Sequence, residues 1–204
     1  MAAMGAPGCI AGDRVRAYLR DMTYRVRRAE MPDAVDIAGV HVRSWRETYQ
    51  GLLPARFLDG MTMGREFAFW RALLHRHLVE LDEAAFVAEA EADAVGFGAC
   101  GQARDRAAAW DGEISMVYVL RAHQHSGLGR ALMGLMADFL ITRGFFSAGL
   151  WVVEGNSRAR AFYEHLGGKM AGRRTERMRG ADVATTAYVF EDLSRLSGRL
   201  LAQF

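Results

Sequence analysis

The stretch EISMVYVLRAHQHSGLGRALMGLMADFL, residues 113–140, decides the fold of this chain. Residues 114–120 are apolar and rich in β-branched and aromatic side chains, which is typical of a strand. Between Leu128 and Leu140, apolar residues recur at helical spacing, which predicts an amphipathic helix. Gly127 and Gly129 stand just where the helical pattern begins. The sequence therefore predicts a strand, a glycine-rich turn and a helix in direct succession.

This succession predicts an anion site at the start of the helix. The first N–H groups of a helix have no partner within it, and the helix dipole places partial positive charge there. Glycine lets a phosphate approach that backbone closely. A nucleoside-triphosphate loop needs a lysine after its second glycine, but Arg130 follows Gly129. A dinucleotide fingerprint needs Gly or Ala where Leu132 stands. The stretch therefore favours a different phosphate-bearing cofactor.

Composition bounds the class of protein. The chain has 204 residues, with 51% hydrophobic residues, 25% charged residues and a formal net charge of +2. This balance is that of a globular domain, and the small charge does not indicate a nucleic-acid partner. Without a membrane-length apolar run or a secretion signal, we expect a cytoplasmic protein with no membrane partner. Cys9 and Cys100 lie far apart, which argues against a structural disulfide or zinc site.

Patterning along the chain predicts one domain over residues 23–192. Residues 1–22 are expected to be a flexible extension in which 13–20 could form two helical turns, and 193–204 to be a short helix or tail. The predicted strands lie at 24–29, 85–89, 94–101, 114–120, 146–153, 169–178 and 183–190. The predicted helices lie at 32–50, at 55–78 as one helix or two short ones, at 128–140 and at 158–166. The strand at 146–153 is expected to return parallel to the strand at 114–120 through a right-handed crossover.

Three motifs resemble those of one family. Residues 124–129, QHSGLG, are similar to the Q/R-x-x-G-x-G/A acyl-CoA loop of the GNAT N-acetyltransferase superfamily. Asn156 to Ala159 and Phe162-Tyr163, with Gly167 after them, resemble its two downstream motifs. The order β-α-α-β-β-β-α-β-α-β-β, an α/β fold with a mixed sheet, is also that of the GNAT acyl-CoA N-acyltransferase fold.

The resemblance implies acetyl-CoA as the cofactor. It implies that the pyrophosphate sits on the backbone N–H groups at the helix start and that the pantetheine arm pairs with the strand before it. Asn156 is expected to hydrogen-bond the pantetheine, and it also fits the N-cap of the next helix. The residues expected to bind the cofactor are Val117, Val119, Gln124, His125, Ser126, Gly127, Leu128, Gly129, Arg130, Asn156, Ala159 and Phe162.

Two side chains are candidates for the chemistry. Tyr163 is the expected general acid for the departing thiolate, since a phenol has a pKa near 10. The alternative is that Tyr163 only packs. Glu113 resembles the base of some family branches, and the alternative is a strand-end carboxylate with no catalytic role. Further candidates for the base are Glu89, Asp111 and Glu154.

The acceptor is left open by the sequence. Trp45, Tyr49 and Phe57 are expected either to pack in the core or to wall an acceptor pocket, as the resemblance implies. No metal is expected, because His75 and His77 point apart on a helix and His123 and His125 lack a third ligand.

The sequence thus predicts an acetyl-CoA-dependent N-acetyltransferase in which a primary amine of a small molecule or peptide attacks the thioester directly. The alternative is a non-catalytic acyl-CoA-binding regulatory module on the same fold. The arginine-rich segment 173–179 is expected to be a solvated strand face, but an acidic substrate or a second subunit could also contact it, so a homodimer stays open.

Overall fold

The computed structural model describes residues 14–19, 22–105, 108–178 and 181–201 of the chain. Its strands are β1 Arg14–Leu19, β2 Met22–Arg28, β3 Ala84–Ala90, β4 Asp93–Gln102, β5 Gly112–Val119, β6 Ala148–Val153, β7 Lys169–Met178 and β8 Ala181–Phe190. Its helices are α1 Ala34–Tyr49, α2 Ala55–Asp59, α3 Met63–Val79, α4 Leu128–Thr142, α5 Ser157–His165 and α6 Leu193–Leu201. Within these ranges, no helix has the length and apolar character needed to cross a membrane.

The eight described strands form one mixed sheet in the order β1-β2-β3-β4-β5-β6-β8-β7. β5 and β6 pair in parallel, whereas the other neighbouring strands pair antiparallel. The predicted fold and the predicted parallel return through the helix at 128–140 are therefore confirmed. The closing hairpin is also confirmed, and it is β8 that lies beside β6. Residues 179 and 180 of its predicted turn lie outside the described residues.

The N-terminal edge of the sheet differs from the prediction. The two helical turns predicted over residues 13–20 are wrong for the described part, because Arg14–Leu19 form β1 and pair antiparallel with β2. Their sequence, RVRAYL, alternates polar with apolar residues, which is the period of a strand. An isolated helix of two turns has little to stabilise it, whereas this alternation can extend an existing sheet. Residues 1–13, including Cys9, lie outside the described residues.

Helices cover both faces of the sheet. α4 packs against β2 to β5 on one face, while α1 and α3 pack on the other. On the α4 face, a Cβ added to Gly98 would stand 2.9 Å from the Met136 side chain. On the opposite face, the Phe97 ring packs edge-on against Trp70 of α3, with ring centroids 4.9 Å apart. The side chains of successive residues of β4 therefore point alternately towards α4 and towards α1 and α3.

Candidate active site

β5 and β6 pair only at their first positions and then separate. Gly112 pairs with Ala148 and Glu113 with Gly149, after which neither strand pairs with the other. A β-bulge at Ser115 accompanies the separation, because β5 has one extra residue opposite β4 there. The gap opens a cleft of about 860 Å³ that is lined by β5, β6, α5, the start of α4 and the end of α1.

The N-terminus of α4 opens into this cleft. Its N-cap residue, Gly127, has a φ of +85°, and no side chain caps the helix. Gly127 and Gly129 both line the cleft. His125, just before them, also has a positive φ, +62°, a region that side-chain-bearing residues rarely adopt. The N–H groups of the first turn have no partner inside the helix, so this end of the cleft is suited to bind phosphate.

The side chains of the loop hold its shape. Gln124 Nε2 donates to the carbonyl of Val119 at 2.8 Å, which ties the loop to the end of β5. Ser126 Oγ donates to the carbonyl of His123 at 2.6 Å. Leu128 is buried in the core below the loop. Ser126 and Leu128 could therefore contribute to a cofactor site mainly through their backbone N–H groups.

α5 packs against the glycine loop at the start of α4. The Oδ1 atom of Asn156 accepts the N–H of Ala159 at 3.1 Å, so Asn156 caps this helix. The N-cap was one of the two roles predicted for this residue. The Phe162 ring lies over Gly129, where a Cβ would stand 3.2 Å from the ring. A side chain at position 129 would thus push α5 away from the loop. Asn156, Ala159 and Phe162 all line the cleft.

The unpaired edge of β5 provides backbone groups on the cleft. Val117 and Val119 line it, and both lie beyond the last residue of β5 that pairs with β6. On that edge the backbone groups of Val117 are not paired with β6 and could pair with an extended ligand, whereas the carbonyl of Val119 already accepts the Gln124 side chain. The predicted pantetheine-binding position therefore lies where β5 no longer pairs with β6.

Tyr163 lies inside the cleft. Its side chain is 8% exposed, and it packs edge-on against Phe162 with ring centroids 5.4 Å apart. Burial raises the pKa of the Tyr163 phenol above its ordinary value, and the nearby Tyr49 phenol adds to this. Tyr163 is therefore a neutral O–H donor at physiological pH.

Tyr118 is a cleft residue that our sequence analysis missed. Its hydroxyl lies 3.2 Å from the hydroxyl of Tyr49, and the Asn156 side chain also hydrogen-bonds Tyr49. Burial raises the pKa values of both phenols. This chain of contacts joins α1, β5 and α5 across the cleft. The alternation of β5, which places Tyr118 and Phe97 on one face, is the signal that could have identified it.

The three predicted acceptor-side aromatics occupy different places. Tyr49 lines the cleft. Trp45 is half-buried behind Tyr49, with ring centroids 4.8 Å apart, and interacts with the Tyr118 hydroxyl. Phe57 is fully buried in the core and does not stand on the cleft wall, because α2 turns this side chain inwards.

A buried polar cluster that the sequence did not reveal lies behind Tyr118. His41 Nδ1 is 3.0 Å from a carboxylate oxygen of Glu66 and 3.2 Å from the indole nitrogen of Trp70. The His41 ring lies 5.6 Å from the Tyr118 ring, between centroids. This polar contact fixes the position of α3 against α1 and thereby the surface on which Tyr118 rests.

The carboxylates predicted as candidate bases are all bound by other groups. Arg104 contacts Glu113 through its guanidinium at 2.5 Å and its backbone N–H at 3.1 Å. Glu113 is not among the described residues that line the cleft. The partners of the other candidates are Arg27 for Glu89, Ser147 and the N–H of Phe146 for Asp111, and Arg173 for Glu154.

Asp111 secures the closed end of the cleft. Its carboxylate accepts the Ser147 hydroxyl at 2.6 Å and the N–H groups of Ser147 and Phe146 at 2.8 and 2.9 Å. Burial opposes ionisation of this carboxyl, but these hydrogen bonds outweigh it and lower the pKa of Asp111 below its ordinary value. Asp111 thus joins the start of β5 to the start of β6, next to their two paired positions.

Basic side chains surround the start of α4. Arg158 contacts His125 Nε2 at 2.6 Å, and Arg130 contacts His165 Nε2 at 2.5 Å. All four residues line the cleft. The two guanidinium groups add positive charge to that of the helix N-terminus and make this end of the cleft favourable for anions.

The fold is that of several solved structures. The paia N-acetyltransferase from Thermoplasma acidophilum, in complex with coenzyme A, has 19% identity and a TM-score of 0.61, over 80% of this chain and 97% of that chain. The acetyltransferase yncA from Salmonella typhimurium, solved with its cofactor acetyl-CoA, has 19% identity and a TM-score of 0.61, over 81% of this chain and 92% of that chain. At this level of identity, these likenesses show a shared fold.

Sequence comparison assigns the family. The model of the acetyltransferase (GNAT) family matches residues 43–168, more than half of the chain. An uncharacterized N-acetyltransferase, YuaI of Bacillus subtilis strain 168, is 38% identical over 132 residues, 64% of this chain and 72% of that protein. An uncharacterized N-acetyltransferase of Archaeoglobus fulgidus is 32% identical over 144 residues, 68% of this chain and 88% of that protein. With its cleft, glycine loop and strand order, the chain belongs to the acetyltransferase (GNAT) family of N-acetyltransferases.

Proposed function

We propose that this chain transfers an acetyl group from acetyl-CoA to a primary amine by direct attack, with Tyr163 as the general acid. The observation that carries the proposal is the presence of a buried phenol in the same cleft as an uncapped, glycine-rich helix N-terminus. A cofactor with a phosphate at one end and a thioester at the other would need both features.

The described residues fit coenzyme A. The N–H groups at the start of α4 would hold the pyrophosphate, and the unpaired edge of β5 would hold the amide groups of the pantetheine arm. Arg130 and Arg158 would neutralise phosphate charge. Two proteins with this fold, from Thermoplasma acidophilum and Salmonella typhimurium, hold coenzyme A and acetyl-CoA respectively, which supports the assignment.

The reaction needs one proton donor at the sulfur. Acetyl-CoA, when bound, supplies a thioester in which a C–N bond to the amine replaces the C–S bond. Tyr163 holds the proton that the sulfur takes up, and the amine loses one proton, so no further reactant is needed. Because burial raises the pKa of Tyr163, the hydroxyl keeps its proton until the thiolate forms. Burial also raises the proton affinity of a thiolate in the same cleft, so the transfer is not strongly uphill.

The proton that the amine loses would leave through groups other than the predicted base. A glutamate base at Glu113 was predicted, but Arg104 binds this carboxylate at the first positions of β5, outside the cleft lining. The hydroxyls of Tyr49 and Tyr118 are instead in electrostatic contact with Tyr163. These hydroxyls are the groups that an attacking amine would meet, and its proton would pass from there to solvent.

Thiol release from acetyl-CoA with a panel of primary amines tests the function. Tyr163→Phe should lower kcat by about 10²-fold or more, the usual scale for a lost general acid, while coenzyme A affinity by calorimetry stays within about twofold. Tyr188→Phe is the matched control, because Tyr188 is a buried tyrosine whose ring is 6.2 Å from that of Tyr163 but does not line the cleft. Unchanged turnover in Tyr163→Phe would remove this residue from the mechanism.

The same assay separates the enzyme from a non-catalytic acyl-CoA-binding module. A module would bind coenzyme A at the start of α4 and release no thiol with any amine. Gly127→Asp would then abolish binding in both cases, whereas Tyr163→Phe would have a measurable effect only on the enzyme.

A further inference from the structure

The side of the cleft from which an amine must approach follows from the fold. α4 covers one face of the sheet and its N-terminus occupies the phosphate-binding part of the cleft. Tyr118 pairs with Phe97, and both side chains therefore lie on the opposite face, under α1 and α3. Given the proposed function, on which this inference rests, the amine reaches Tyr163 from that face.

The wall on this side is apolar and aromatic. We call it the amine end, and it consists of Tyr49, Leu52, Met116, Tyr118 and Trp151, all of which line the cleft. Leu52 follows α1 and is 46% exposed, so it stands at the entrance. The indole of Trp110 lies 6.2 Å from that of Trp151, between centroids, and extends the aromatic surface away from the cleft.

Charge at the amine end does not favour a polycation. Among the described residues that line the cleft, Glu47 is the only carboxylate, and it accepts the backbone N–H of Arg121 at 2.7 Å. The guanidinium of Arg174 lies 3.7 Å from the centroid of the Trp151 ring and is paired with the Glu176 carboxylate, so this pair offers a second ammonium group no unshared carboxylate. A substrate with several ammonium groups would lose water here without gaining an unshared carboxylate, which is unfavourable.

We infer that the acceptor is a primary amine on an aromatic or branched apolar body, and that polyamines are poor substrates. The body packs against Leu52, Met116 and Trp151, and the nitrogen lies at the hydroxyls of Tyr49 and Tyr118. These two oxygens are 3.2 Å apart, so one hydroxyl can donate to the other and leave an oxygen lone pair for an amine N–H. The Asn156 side chain, which hydrogen-bonds Tyr49 and caps α5, fixes the pair in place.

Matched amines test this inference. We expect kcat/KM for 2-phenylethylamine to exceed that for spermidine by at least about 10-fold, the usual scale for a filled apolar pocket. A tripeptide that begins with phenylalanine carries the same aromatic group next to a peptide N-terminal amine. Its rate, compared with that of 2-phenylethylamine, tells whether the acceptor is a small molecule or a peptide N-terminus. A preference for spermidine would overturn the inference while leaving the proposed function intact.

An added carboxylate should change the preference. Leu52→Glu should shift the ratio of spermidine to 2-phenylethylamine rates by about 10-fold towards spermidine, because it supplies the missing counter-ion. Leu81→Glu is the matched control, since Leu81 is 62% exposed and lies in the turn between α3 and β3. An unchanged ratio in Leu52→Glu would contradict the position assigned to the amine.

Binding distinguishes failure of the inference from failure of the proposed function. Tryptophan fluorescence, with coenzyme A present, should respond to 2-phenylethylamine through Trp151 and saturate. Saturation without thiol release from any amine would contradict the proposed function and support the amine end as a binding site. No fluorescence response and no preference for the aromatic amine would overturn the inference.

Discussion

The two ends of the cleft offer a ligand different kinds of group. The phosphate end, residues 124–130, presents backbone N–H groups at the start of α4, and its shape depends on Gly127 with a φ of +85°. The amine end presents side chains from α1, β5 and β6. A substitution at the phosphate end therefore acts on the backbone and on access to it, whereas a substitution at the amine end acts on one contact. The first should be all-or-none for the cofactor, and the second should be graded and selective for the amine.

Gly127→Asp should have the largest effect. The substitution places a carboxylate where phosphate is expected and adds a side chain at a positive φ, so we expect coenzyme A affinity to fall by more than about 100-fold. Isothermal calorimetry with coenzyme A measures it.

Gly144→Asp is the matched control for that substitution. Gly144 has a φ of +86°, lies just after the other end of α4, and has no atom within 4 Å of an added Cβ. It therefore carries similar backbone strain without contact with the cleft, and its coenzyme A affinity should be unchanged. Equal losses in both variants would mean that strain in α4, rather than the phosphate end, limits binding.

The glycine loop and the start of α4 could be predicted from the sequence because the information for them is local. Glycine permits the positive φ that Gly127 adopts at the N-cap, and the helical pattern that starts beside it places the helix N-terminus there. Asn156 and Tyr163 could be placed for a similar reason, since the Asn156 cap and the first two turns of α5 fix their spacing. By contrast, the strand at Arg14–Leu19 was missed because its short polar–apolar alternation was taken for two helical turns, whereas pairing with β2 at the edge of the sheet stabilises the strand.

Asp111→Asn should lower the free energy of unfolding without acting selectively on the phosphate end or the amine end of the cleft. It removes a charged acceptor of the Ser147 hydroxyl and of two N–H groups, and we expect a loss of about 2 kcal/mol in the free energy of unfolding at neutral pH. Denaturant titration measures this loss. Asp82→Asn, an exposed aspartate in the turn before β3, is the control and should change stability by less than about 0.5 kcal/mol.

The effect of Asp111 has a defined dependence on pH. Hydrogen bonds lower the pKa of Asp111 in the folded state, so its contribution is present above the ordinary value of 3.8 and disappears as the pH falls through the lowered value. Wild type and Asp111→Asn should therefore converge in stability in strong acid. A constant difference down to low pH would show that the contribution does not come from the ionised carboxylate.

Tyr118→Phe should act on the amine end alone. Loss of one hydroxyl that positions the nitrogen should lower kcat/KM for the amine by about 10-fold, equivalent to one hydrogen bond. Coenzyme A affinity should stay within about twofold, as it should in Tyr188→Phe. Weaker coenzyme A binding would mean that the two ends are coupled through Tyr49 and Asn156, which contact both sides of the cleft.

The amine end was harder to predict because its members come from distant parts of the chain. Tyr118 is one of several apolar or aromatic residues in β5, and nothing near it in sequence shows that its hydroxyl meets Tyr49. The sequence around Phe57 is compatible with a position either on the cleft wall or in the core, and α2 directs the side chain into the core. Glu113 was placed on the correct strand, whereas Arg104, which binds it, follows β4 in a loop whose path the sequence does not specify.

Glu113→Gln should have the smallest effect and tests the remaining candidate base. Because Arg104 already binds this carboxylate, we expect kcat/KM for the amine to change by less than about threefold, with a modest loss of stability from the weakened contact. A true general base would cost about 10²-fold or more and would remove the acidic limb of the pH profile of kcat/KM. Arg104→Gln is the informative partner, since it releases Glu113 without removing it. If Glu113→Gln abolished turnover while Arg104→Gln raised it, the amine end would extend to the first residues of β5 and the carboxylate would act once Arg104 moves away.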